Sequence, residues 1–114
     1  RHTLNNRKYL DDNLKYLHKI IQFCEDKQIQ LILVTTPTCH SYYEHLDKHQ
    51  LDQLLSIAKE LDNNHENVFY FNFLKDDRFN DNDFKDGDHL SEEGAEKFTK
   101  ILKDSIRHKL DVKL

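Results

Sequence analysis

Leu31-Ile32-Leu33-Val34-Thr35-Thr36, closed by Pro37, is the stretch on which the fold turns. It is apolar and rich in β-branched residues, with no alternation of polar and apolar positions, so it has no face to offer to water. A strand of this kind is buried on both sides, as in a parallel sheet covered by helices. Pro37 stops it by removing a backbone donor. Val68-Phe69-Tyr70-Phe71-Asn72-Phe73-Leu74 reads as a second strand, aromatic and β-branched, with Phe69, Tyr70, Phe71 and Phe73 as core. The strands are therefore expected near residues 29–36 and 67–74.

Outward from these strands the pattern becomes helical. Leu10, Leu14, Leu17, Ile21 and Cys24 recur at helical spacing and predict an amphipathic helix over about residues 6–27. Leu51, Leu54, Leu55, Ala58 and Leu61 predict a second over residues 47–61, with Asp47 placed to cap it. Ser91, a hydroxyl followed by Glu92 and Glu93, opens a third. Its expected buried stripe is Ala95, Phe98, Leu102 and Ile106, with Lys97, Lys100 and Lys103 on the solvated face. A polar loop over residues 75–88, dense in Asp and Asn, lies between the second strand and this helix. The order is that of an α/β protein with parallel strands. Two strands cannot bury Leu31 to Val34 on both faces, so further strands are expected from an upstream segment, a partner chain or a homo-oligomer that completes the sheet. The chain reads as one incomplete domain, residues 1–114.

Composition narrows the function. Of the residues 37% are hydrophobic and 33% charged, with a formal net charge of -4. Acidic and basic residues are interleaved, no basic face emerges, and nucleic acid is excluded as an expected partner. The longest apolar run, Leu31 to Val34, is too short to cross a bilayer. Cys24 and Cys39 fit neither a disulfide scaffold nor a metal knuckle. They read as isolated thiols, with a bridge between them left open.

Parallel α/β sheets place their sites in the loops that leave the carboxyl ends of strands. Here those loops are residues 37–43 and 76–88, and both leave the same edge. His89 stands at the close of the second loop, just ahead of the helix N-cap Ser91. Asp86 can accept from its Nδ1–H, fixing the tautomer and leaving Nε2 free to take a proton from a nucleophile. Asp88 is expected to point elsewhere if the turn is tight. The plain alternative is that both aspartates are turn residues beside a solvated histidine. Gly94 has its own reason, since a first turn without a Cβ lets the helix approach the sheet.

The run Asp86-Gly87-Asp88-His89-Leu90-Ser91-Glu92-Glu93-Gly94-Ala95, with Phe98 and Leu102 behind it, resembles the last block of SGNH/GDSL-type ester hydrolases and acyltransferases. There Asp-x-x-His-Leu is followed by a polar residue and by a glycine that opens the terminal helix. The resemblance implies a three-layer αβα, flavodoxin-like SGNH-type fragment, with His89 as general base and Asp86 as its orienting acid. It implies substrate contacts at Thr36, His40 and Ser41, and an ester of a small molecule or carbohydrate as substrate of the full-length parent. No cofactor and no metal belong to that chemistry, and the parent is expected to be extracytoplasmic or membrane-anchored. One departure matters most: the Gly-Asp-Ser nucleophile block is absent, as are the Gly and Asn blocks that supply oxyanion donors. These residues alone are expected to be inactive. The competing expectation is a non-catalytic α/β module for partner binding or dimerisation, in which Asp86 and His89 do not meet.

Other constellations are weaker. Cys39 and Ser41 read as ordinary loop residues rather than nucleophiles facing His89. His45 and His49 stand four apart with His40 and Glu44 nearby, but eight histidines in a polar chain produce such pairs by chance. Aligning Gly87 with the glycine of a calcium loop puts Phe84 at a ligand position, which rules that loop out.

Overall fold

The computed structural model describes the backbone of residues 3–111 and the side chains of residues 10–111. Helix α1 is Thr3–Asp26, strand β1 Leu31–Thr35, a short helix α2 His40–Glu44, α3 Lys48–Asn64 and β2 Val68–Asn72. A 3-10 turn at Asp81–Asp83, strands β3 (Phe84–Asp86) and β4 (His89–Leu90), and helix α4 (Glu92–Leu110) complete a mixed α/β chain. The chain divides into two compact units. One takes the residues up to Val34 together with His49–Phe71, the other Thr35–Lys48 together with the residues from Asn72 onward.

In the first unit α1 buries the expected stripe, with Ile21 and Cys24 inside and Leu10, Leu14 and Leu17 half-buried. Its end is set by Gln28, which takes a left-handed backbone (φ 59°), while the Ile29 N–H returns to the Cys24 carbonyl at 2.7 Å. The core joins Ile21, Leu61 and Val68, with Leu17, Leu31, Leu33 and Ile57 packed against it. Strands β1 and β2 run parallel: Leu31 N–H donates to the Asn67 carbonyl and Phe73 N–H to the Thr35 carbonyl. Leu31 and Leu33 thus face the helices, and strand alternation turns Ile32 and Val34 the other way.

Two expectations need correction here. Strand β1 is half-buried along its whole length rather than buried on both faces, because among the described residues it pairs with β2 alone. Leu54 is 50% exposed, and Ile57 takes the inward place on α3 assigned to it.

The two outer edges of this sheet differ. On β2 the Tyr70 N–H donates to the Asp62 carboxylate at 2.8 Å and the Val68 N–H to the His65 carbonyl at 3.2 Å, so α3 and its exit close that edge. On β1 the residues between the ladder positions, Ile32 and Val34, present their backbone groups to an edge where no described strand lies. Neither a charge nor a proline interrupts the strand there.

The second unit is built on α4. Phe98 meets Phe73 edge-on, ring centroids 5.4 Å apart, and Phe79 at 6.2 Å. Ser91 caps the helix, its hydroxyl accepting from the Gly94 N–H at 3.1 Å, as expected of a hydroxyl ahead of two acids. The inward residue of the first turn is Gly94, which is buried, and not Ala95, which is exposed. A Cβ on Gly94 would stand 1.9 Å from the Asp83 carbonyl oxygen, so the close approach it permits is to the 3-10 turn rather than to the sheet. The loop over residues 75–88 is also more regular than expected, holding the 3-10 turn and the first arm of a hairpin. Lys97 is not on a solvated face: its ammonium bonds the Asp83 carboxylate at 2.7 Å and the Arg78 carbonyl at 2.9 Å. Among the described residues no helix is long and apolar enough to cross a membrane. Cys24 and Cys39 are both free thiols.

Candidate acid–histidine site

The candidate site sits on the β3–β4 hairpin, in which Asp86 lies opposite His89 and Phe84 opposite Leu90. Gly87 and Asp88 form the connection, and neither has positive φ. Gly87 is needed instead for closeness, since a Cβ there would meet the Tyr42 ring at 2.4 Å. The base of the hairpin is anchored. Ser91 N–H donates to the Asp83 carbonyl at 2.8 Å, and the Ser91 hydroxyl to the Asn82 carbonyl at 3.1 Å. The Asp83 side chain is 7% exposed and accepts the Asn80 N–H at 2.9 Å, closing a reciprocal cap with Asn80 around the 3-10 turn. Arg78 and Asp76 pair just upstream, the Arg78 Nε donating to the Asp76 carboxylate at 2.8 Å.

From this base the pair projects into water. His89 Nδ1 and Asp86 Oδ1 are 2.6 Å apart, and the same oxygen accepts the His89 backbone N–H at 3.2 Å. The side chains are 70% and 59% exposed. Asp88 does not point elsewhere as expected. Its Oδ1 lies 3.1 Å from the same Nδ1, because a two-residue connection keeps the neighbouring carboxylate beside the ring. The hydrogen bond to Asp86, with the charges of Asp86 and Asp88 behind it, holds the His89 pKa above its ordinary value. The bond to His89 in turn holds the Asp86 carboxyl below the usual carboxylate range. Among the described residues Nε2 carries no hydrogen bond, so the ring has one oriented nitrogen and one open to a reactant.

The other expected positions distribute as follows. Thr36 is exposed, just beyond β1. His40 begins α2 and pairs through Nε2 with Glu44 at 3.0 Å, which uses up two members of the metal face considered with His45 and His49. Ser41 lies with its hydroxyl 3.4 Å from the Cys39 sulfur. The two loops do meet, at residues for which the sequence indicated no such role: Cys39 N–H donates to the Gly87 carbonyl at 3.0 Å, and the Tyr42 ring lies against Gly87. A glycine held between two aspartates was the available signal for such a close approach. Asp83 and Lys97, which hold the hairpin base, left no local signal. They are far apart in sequence, and only folding joins them.

Asp86, Asp88 and His89 also offer ligand atoms within 4.8 Å of one another, the group of that kind among the described residues. Hydrogen bonding of one imidazole Nδ1–H between two carboxylates already accounts for this gathering. A hollow lined by Glu92, Ala95, Glu96, Thr99, Lys100 and Lys103 runs along one face of α4 and includes neither Asp86 nor His89.

A protein-family model of unknown function matches residues 1–111. The chain belongs to that family. Membership brings no activity with it, and neither a curated protein nor a solved structure matches the chain.

Proposed function

We propose that the chain carries the acid–histidine part of a serine ester hydrolase or O-acyltransferase of SGNH type. In this reading His89 is the general base and Asp86 the acid that orients it. The observation that carries the reading is the 2.6 Å contact between His89 Nδ1 and Asp86 Oδ1, with Nε2 left open. An imidazole held in that tautomer takes a proton from a hydroxyl at Nε2 as the oxygen attacks an ester carbonyl, and returns it to the leaving alkoxide. No Gly-Asp-Ser block stands in the 114 residues, so the serine is supplied from outside them. Thr36, on the loop after β1, and His40 and Ser41, in the first turn of α2, flank the Cys39 tie to the hairpin and are assigned to the substrate side. The substrate is an ester of a small molecule or carbohydrate. The full fold in this reading is the three-layer, flavodoxin-like one, and its further strands add at the outer edge of β1.

The test is made in the full-length protein with a chromogenic acetyl ester. His89→Ala is expected to lower kcat by about a thousandfold or more. Asp86→Asn is expected to lower it less, and to shift the acidic limb of the pH profile to lower pH, because the imidazolium loses its partner and the ring stays a free base further down. Ester hydrolysis that survives His89→Ala intact would sink the assignment.

A second reading has one observation in its favour. The Asp86 oxygen that meets the ring also accepts the His89 backbone N–H, so the pair would hold the hairpin together without any chemistry. A non-catalytic module for partner binding or dimerisation then remains, though without the separated Asp86 and His89 expected of it, and it requires His89→Ala to leave any esterase activity of the parent unchanged.

A further inference from the structure

Helix α1 carries two apolar stripes and buries one. Leu17, Ile21 and Cys24 face the core of their unit. Tyr16, Ile20 and Phe23, turned aside on the same helix, are 62%, 49% and 57% exposed. They follow the four-then-three spacing that aligns residues along one helix face. At about 200 Å² for each large side chain, these exposed fractions leave on the order of 300 Å² of surface uncovered. A stable interface buries about 800 Å² per partner, slightly more than half of it apolar. The stripe therefore supplies most of the apolar share. The stems of Lys19 and Lys27, whose ammonium groups lie 5.5 Å and 6.0 Å from the centroids of the Tyr16 and Phe23 rings, widen it.

The charges on this face select the occupant. Asp12 on α1, and Lys27 in the first turn residue past its end with its N–H still bonded to the Phe23 carbonyl at 3.1 Å, are both exposed and lie at equal distances in sequence from the stripe's midpoint between Lys19 and Ile20. When two copies of α1 cross antiparallel about a two-fold axis at that midpoint, Tyr16 meets the second copy's Phe23, and Asp12 meets its Lys27. A parallel arrangement would set Asp12 against Asp12 and Lys27 against Lys27. We propose that this face of α1 is a self-complementary interface and that its partner is a second copy of this chain, docked antiparallel through Tyr16, Ile20 and Phe23 with an Asp12–Lys27 pair at each end. The interface is independent of the hydrolase reading and uses none of its residues.

Sedimentation equilibrium over a concentration series tests it, with far-UV circular dichroism confirming that each variant is folded. The chain is expected to be in monomer–dimer equilibrium. Ile20→Glu is expected to raise the dimer dissociation constant by at least about tenfold. Asp12→Lys and Lys27→Asp are each expected to raise it about threefold to tenfold, both contacts being broken by symmetry. The double variant, with the charges exchanged, is expected to return to the parent value. A chain that stays monomeric throughout overturns the proposal. So does a dimer that tolerates Ile20→Glu, which places the interface elsewhere, or a double variant weaker than either single one, which excludes the antiparallel pairing.

Discussion

Asp83 and Asp86 stand at the two ends of one three-residue step, and each is paired with a basic side chain, yet they belong to different kinds of site. The Asp83 side chain is 7% exposed and meets Lys97 from α4, with Asn80 N–H as a second donor. Asp86 is 59% exposed, and its partner His89 lies across a hairpin. The inner pair joins segments distant in sequence, and the protein surrounds it. The outer pair is local and wet. An ion pair taken out of water costs folding free energy when one member is removed, whereas an exposed one contributes little. The inner carboxylate is thus a fastener, and the outer one is free to serve chemistry.

The sharpest way to break this division is at Gly94, which holds the inner end. Gly94→Ala places a methyl 1.9 Å from a backbone oxygen that cannot swing away. We expect it to cost about 2–4 kcal/mol in urea unfolding, with the hairpin detached from α4.

Asp83→Ala is next. It strips Lys97 and the Asn80 N–H of a shared acceptor, and we expect a loss of about 2 kcal/mol, discounted because Lys97 is 35% exposed. The pH dependence has a definite sign. The bond to Lys97 holds the Asp83 carboxyl below its ordinary value of 3.8 in the folded protein. Its contribution is therefore complete above that value and lost as pH falls through the lower folded one. The parent's stability should decline on acidification through and below pH 3.8, and Asp83→Ala should flatten that decline. Equal acid sensitivity in the two proteins would count against the fastener.

Asp86→Asn should move stability least and titration most. We expect Tm to stay within about 2 °C of the parent, the range of a surface change. The His89 pKa, read by NMR of the imidazole, should fall toward its ordinary value of 6.5, stopping short of it because Asp88 still faces Nδ1. Whatever the pair adds to folding is present below that ordinary value and disappears as pH rises through the raised one. An unchanged His89 titration would mean that the contact is not kept in solution.

What could be read in advance follows the same inner and outer division. Periodicity exposed the core stripe of α1, and β-branched runs exposed both strands, because those patterns repeat over several residues. Ser91 was legible as a cap because capping is chemistry within one turn. Asp86 and His89 were legible because their contact spans only three positions. The hairpin they ride on was not, since arms of three and two residues are too short to alternate. The Lys97–Asp83 contact was illegible for the opposite reason: nothing local distinguishes a lysine that folds inward from its neighbours Lys100 and Lys103. The absent Cβ of Gly94 was legible as a close approach, but its partner, the Asp83 carbonyl rather than the sheet, was not, and with Gly94 turned inward Ala95 is left exposed.

The β1–β2 sheet holds one more consequence in its unequal edges. With Asp62 and His65 spent on β2, the sheet behaves like a polymer with one end chemically blocked: it can lengthen only by addition beyond Ile32 and Val34. That polarity acts in any setting. It directs a proper neighbouring strand to one side, and it makes the same side the point from which stray association of the isolated chain would grow.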